Sequence, residues 1–73
     1  MLVVDLTLSD VKLIKLIATK CAPFGTVRSV NIYRSPTPYA VVRMSDRQET
    51  GELARKIGKA VFEGAAIVPL RRK

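Results

Sequence analysis

Apolar residues change their spacing repeatedly along this chain, and that alternation limits the fold more than any other feature. In LVVDLT, Leu2, Val4 and Leu6 share one side while Val3, Asp5 and Thr7 share the other. Strict period-two spacing describes a half-buried strand. Ser9 or Asp10 then offers an N-cap oxygen. In VKLIKLIATKC the period switches: Leu13, Ile14, Ile17, Ala18 and Cys21 fall on one helical arc, with Lys12, Lys15 and Lys20 off it. Leu16 lies away from that arc and is expected to be partly exposed. Pro23 and Gly25 end the helix. In VRSVNIY, Val30 and Ile32 alternate with Ser29, Asn31 and Tyr33, a second strand. Beyond RSPTP comes a third, YAVVRM. Its fully apolar side, Ala40, Val42 and Met44, is the expected core, so Tyr39, Val41 and Arg43 face outward.

Ser45 and Gln48 have capping-box spacing. A helix is predicted from there to about Val61 or Phe62, with Thr50, Leu53, Ala54, Ile57, Ala60 and Val61 as its apolar stripe. Glu52, Arg55, Lys56 and Lys59 form its wet face. Gly58 would permit a close helix–sheet approach, and Gly64 closes the helix. AAIVPL reads as the last strand. Pro69 has no N–H for a ladder, which predicts an edge position. The order strand–helix–strand–strand–helix–strand predicts an α+β, ferredoxin-like βαββαβ sandwich. Its sheet would be four-stranded and antiparallel, with both helices on one face. A single domain spans residues 1–73, with 71–73 as a basic tail.

A chain this short buries only about 60% of its unfolded surface, and nothing in the composition staples it. Cys21 is the sole cysteine and there is no histidine. Internal disulfides and Cys-rich metal sites are excluded, and the commonest acid–base residue is missing. No Gly-rich phosphate loop or nucleophile–base pairing can be placed, so no enzyme, cofactor, metal or small-molecule substrate is expected. Asp46, Glu49 and Glu52 read as complements to a helix N-terminus. The absence of a long apolar run argues against a membrane span, and MLVVDLTLSD lacks the basic start of a signal peptide. A reducing compartment is expected: the cytoplasm, or the nucleus in a eukaryote.

Thirteen Lys and Arg against six Asp and Glu give a net charge of +7. A field of that sign attracts polyanions, of which nucleic acid is the commonest. Anionic lipid and acidic protein surfaces are the alternatives.

"FGTVRSVNI", residues 24–32, resembles the first-helix exit and second strand of the RNA recognition motif (RRM) family. "MSDRQETGELARKIGKAVFEGAAIV" is similar to that family's third-strand end, second helix and final turn. The resemblance covers roughly residues 2–70. The signature motifs match sparsely. Of the longer one, K/R-G-F/Y-G/A-F-V-x-F/Y, "TPYAVVRM" keeps Tyr39, Ala40 and Val42. Thr37 lacks the cation, Pro38 replaces Gly, and Val41 and Met44 replace aromatics. The shorter motif falls on "LVVDLT", with Val3 at the usual aromatic position.

The resemblance implies single-stranded RNA bound on the helix-free sheet face, with one of the three usual stacking positions, Tyr39, retained. Each base–aromatic stack contributes about 1–3 kcal/mol, so weak binding is expected. Tyr33 and Val41 would extend the platform beside Val3, while Asn31 and Asp5 would meet base edges. Arg43, Arg34, Arg71 and Arg72, with Arg28 and Lys73 at the rim, would hold phosphates. Arg43 has a plainer reading, an ion pair with Asp5 on an adjacent strand. The alternative function is a protein–protein interaction module, with a partner or a second copy covering the aromatic-poor sheet or the Leu16 side of the first helix.

Overall fold

The computed structural model describes all 73 residues. Strand β1 (Leu2–Val4) leads through a turn to helix α1 (Asp10–Cys21), and a 3₁₀ turn (Ala22–Phe24) leads on to β2 (Val27–Tyr33). Then come β3 (Tyr39–Met44), helix α2 (Arg47–Lys56), β4 (Ala60–Phe62) and β5 (Ala65–Arg72). Ser9 is the N-cap of α1, its hydroxyl accepting from the Lys12 N–H at 3.3 Å. The arc read from the sequence is the one that packs. Leu13, Ile17 and Cys21 are fully buried, while Ile14, Leu16 and Ala18 lie half-buried against them. Burial in this apolar setting pushes the Cys21 thiol up to about 11, since a thiolate there would lose its hydration.

One core lies between the helices and one face of the sheet. Leu13, Ile17 and Cys21 from α1 and Leu53 from α2 meet Val4, Val30, Ala40, Val42, Met44, Ala66, Val68 and Leu70. Every strand residue in that set has the same parity, so both helices lie on one flank. The α+β class and the one-sided helical layer therefore agree with the sequence.

The sheet itself differs from the expected plan. It is mixed and five-stranded, in the order β1-β5-β3-β2, with β4 pairing β5. β5 is antiparallel to β3 and β4 but parallel to β1. The last strand, expected at an edge, is internal. β4 lines its outer side from Ala65 to Ile67, and β1 does so from Leu70 to Arg72. The Leu70 N–H donates toward β3, to the Pro38 carbonyl at 3.1 Å. By alternation the Pro69 nitrogen faces the opposite side, where β4 has ended and the β1 register has yet to begin. Proline is tolerated inside the sheet because its missing N–H falls at the join between two partners.

The second helix also ends sooner than its apolar stripe suggests. The N–H groups of Ile57 and Gly58 both donate to the Leu53 carbonyl, and the Lys59 N–H already crosses to Ile67, at 2.8 Å. Ala60–Phe62 is strand, joined to β5 by a two-residue turn in which Glu63 (φ 51°) and Gly64 (φ 76°) both take positive φ. That is the type I′ hairpin geometry, so Gly64 closes a hairpin rather than a helix. The α2 N-cap is Asp46, not Ser45, and it accepts the Glu49 N–H at 2.8 Å. The Glu49 carboxylate in turn accepts the Thr26 N–H (2.9 Å) and the Ser45 hydroxyl (2.8 Å), tying the start of β2 to the end of β3. Gly25, at φ 140°, leaves that carboxylate room: a Cβ there would lie 2.1 Å from Glu49 Cδ.

Gly58 does permit close approach. A Cβ there would meet Ala54 Cα at 2.7 Å and the Ile67 carbonyl at 3.0 Å, whereas at Gly51 nothing lies within 4 Å. Gly58→Ala is therefore expected to destabilise the fold by about 1–3 kcal/mol through overpacking. Gly51→Ala, at an open helix position, should stabilise it by about 0.5–1 kcal/mol. Urea denaturation of both variants beside the parent chain checks the pair.

Candidate functional site

The face of the sheet opposite the helices carries the outward residues of every strand. Rows follow from the register. Tyr33 pairs Tyr39, which pairs Pro69, while Asn31 pairs Val41, which pairs Ile67, which pairs Ala60. One step further along, Ser29 pairs Arg43 and Phe62 pairs Ala65. Tyr33, Tyr39, Val41, Arg43, Phe62, Glu63 and Ile67 line one open groove of about 290 Å³. The two tyrosine rings stack on each other across the strands, centroids 5.0 Å apart and planes 15° from parallel. Tyr33 is 46% exposed and Phe62 64%. Pro69 and Ala65 mark the tyrosine and phenylalanine ends of the groove. At the usual strand rise those ends lie about 13 Å apart.

The sequence pattern places Phe62 at the end of the second helix, whereas the structure places it in β4. Placed in a helix it has no bearing on the sheet; placed in β4 it is the third ring of the open face. The available signal was Glu63-Gly64, a two-residue hairpin turn between short apolar runs. It was masked because Ala60 and Val61 continue the helical stripe of α2.

The sequence-derived candidates divide into those the fold brings together and those it uses elsewhere. Asn31, Tyr33, Tyr39, Val41 and Arg43 share the open face. Val3 and Arg71 join them on the β1–β5 side, where they are register partners and both exposed. Arg72 has the opposite parity and borders a separate recess with Leu6, Arg34, Pro36 and Pro38. Asp5 lies beyond the end of β1, and its carboxylate accepts the Thr7 hydroxyl (2.5 Å) and the Thr7 N–H (3.0 Å). Those two bonds, with a weaker contribution from the Lys73 charge, hold its carboxyl below the usual range. An Arg43–Asp5 pair does not form, because β5 separates β1 from β3. Arg43 Nη1 donates instead to the Glu63 carbonyl at 3.0 Å, which fixes the guanidinium against the hairpin turn.

Arg34 is engaged away from the open face. Its Nη1 donates to the Leu6 carbonyl (2.7 Å) and its Nη2 to the Leu8 carbonyl (2.9 Å). Asp10 Oδ1 accepts from both Nη2 (2.7 Å) and Nε (3.1 Å). One side chain thus fastens the β1–α1 connection to the end of β2, with four of its five N–H donors committed there and not to the open face of the sheet. The other ion pair, Arg55–Glu52 at 2.9 Å, stays on the exposed side of α2. No group of three or more His, Cys, Asp and Glu side chains is placed to hold a metal ion. No helix is long and apolar enough to cross a membrane.

The chain matches no family model, no curated protein and no solved structure. The reading of the site therefore rests on its geometry.

Arg34→Ala removes four hydrogen bonds to three acceptor residues. Charged hydrogen bonds contribute about 1.5–3 kcal/mol each where buried and less at an exposed site. The variant is expected to lose about 1–3 kcal/mol of folding stability while leaving any ligand affinity of the open face unchanged. Thermal melting beside a binding titration separates the two effects.

Proposed function

We propose that this chain binds single-stranded RNA, weakly and with little sequence preference, on the helix-free face of its sheet. The observation that carries the reading is the groove itself. Tyr33, Tyr39 and Phe62 border one apolar floor made by Val41 and Ile67, and Arg43 stands beside it, in a chain of net charge +7. Bases stack on such rings irrespective of sequence, and guanidinium groups hold the intervening phosphates. With Phe62 counted, two separated stacking positions are present: the paired tyrosines and the phenylalanine. The short spacing suits two or three nucleotides, as on the sheets of RRM domains. The chain keeps that family's element order through β3 and α2. Its sheet order is its own, so the resemblance is proposed at the level of an open, ring-bearing sheet and not of a shared ferredoxin-like topology.

In this mode Tyr39 and Phe62 act as stacking platforms. Arg43, held by the Glu63 carbonyl, presents its remaining donors to a phosphate. Arg71, with Val3 beside it, extends the cationic rim toward β1. Asn31 supplies an amide at the β2 edge for a base or a ribose hydroxyl. Nothing in the arrangement calls for chemistry on the ligand. The same exposed rings are also apolar surface that a protein partner or a second copy would cover. That is the competing reading, and solution mass discriminates it, since a stable dimer burying Phe62 would displace the RNA reading.

Tyr39→Ala and Phe62→Ala are each expected to weaken binding of a short mixed oligoribonucleotide by about 1–3 kcal/mol, roughly five- to a hundredfold. Arg43→Gln should lower the slope of log affinity against log salt by about one. Fluorescence anisotropy titrations at low and high salt measure all three. Unchanged affinity in both ring variants removes the site.

A further inference from the structure

At the Phe62 end of the groove the sheet opens into a second recess, about 450 Å³, lined by Arg28, Ser29, Arg43, Met44 and Gly64. Its make-up depends on an irregularity in β2. The β2–β3 register runs Val27↔Met44 and then Ser29↔Arg43, so Arg28 is an extra residue bulged out of the ladder. Val27 packs against the core from the helix side. In a regular strand Ser29 would share that side with it. The bulge resets the phase, and Ser29 lies beside Arg43 on the open face. Bulges re-aim side chains in this way, and they recur beside binding sites.

Two guanidinium groups and a hydroxyl therefore converge on one recess. The only ion pairs of the chain are Arg34–Asp10 and Arg55–Glu52, so no carboxylate lies within 4.0 Å of Arg28 or Arg43. Arg43 is held in place by the Glu63 carbonyl, while Arg28 and the Ser29 hydroxyl have no hydrogen-bond partner in the protein. Placing like charges together with no ion pair to either is unfavourable in the free protein. An anion with several acceptor oxygens relieves that repulsion and takes up the unused donors.

We propose that the Arg28–Ser29–Arg43 recess seats a phosphate group of the bound strand, and that it prefers a terminal phosphomonoester over an internal diester. The inference rests on the strand-binding reading and adds a direction to it. Arg43 borders both the groove and the recess, so bases lie toward the tyrosines and the phosphorylated end lies at the β2 bulge. The preference follows from charge: a terminal phosphate carries nearly two negative charges near neutral pH and faces two guanidinium groups, neither of them in an ion pair.

The test uses one short oligoribonucleotide in three forms, with a 5′-phosphate, with a 3′-phosphate and with neither, titrated into the parent chain and into Arg28→Gln. One phosphorylated form is expected to bind about tenfold more tightly than the unphosphorylated strand, the scale of one charge-assisted hydrogen-bond set. That gain should vanish in Arg28→Gln, whose fold is not at risk because Arg28 makes no internal contact by hydrogen bond or ion pair. Which end gains reports the polarity of the strand. Equal binding of all three forms, or a gain that survives Arg28→Gln, overturns the phosphate seat and leaves the stacking groove standing. Failure of every form to bind overturns both.

Discussion

The position of β5 is the constraint on which the rest of the molecule depends. It is the strand that joins three others: β3 on one side, and β4 followed by β1 on the other. Its inward residues Ala66, Val68 and Leu70 are buried beneath the helices, and its outward residue Ile67 is the floor of the groove. An apolar strand buried along one face loses little by being internal, provided that its backbone groups are paired. Pro69 would break that condition anywhere except at the gap between β4 and β1. The placement of one proline therefore decides which strands can flank β5, and with it which side chains share the open face.

The hairpin turn at Glu63-Gly64 follows from the same arrangement. It folds β4 back on β5, turns Phe62 out beside the sheet, and offers the Glu63 carbonyl that anchors Arg43. Gly58, pressed against Ala54 and the Ile67 carbonyl, lets the end of α2 come close enough for β4 to start within three residues of the helix. Local backbone features at residues 58, 64 and 69 thus convert a helix-flanked sheet into one that carries an aromatic at both ends of a groove.

Much of this was legible in the sequence, and the failures have physical causes. The α1 arc, the inward Ala40–Val42–Met44 side of β3 and the outward Tyr39–Val41–Arg43 side were fixed by period alone, because each segment is amphipathic and has one burial solution. β4 was not, since Ala60 and Val61 satisfy both the helical stripe and a short strand, and only the cross-chain bond from Lys59 to Ile67 decides between them. Pro69 leaves one ladder edge without an N–H, and nothing in the sequence marks that two half-length partners meet beside it. Among the cations, net charge indicates attraction to polyanions without saying which side chains are free. Arg34 and Arg43 look equivalent in sequence. In the fold Arg34 is consumed by Leu6, Leu8 and Asp10, while Arg43 and Arg28 remain unpaired by carboxylates. The β2 bulge that brings Ser29 beside Arg43 has no mark in the sequence.

The central claim is that ligand contact is confined to the helix-free face. Backbone amide chemical shifts on adding a short mixed oligoribonucleotide test it most directly. Perturbations concentrated at Tyr33, Tyr39, Val41, Phe62 and Ile67, with the exposed face of α1 unmoved, are the result the account requires. Shifts centred on the helices, or no shifts at all, would contradict it.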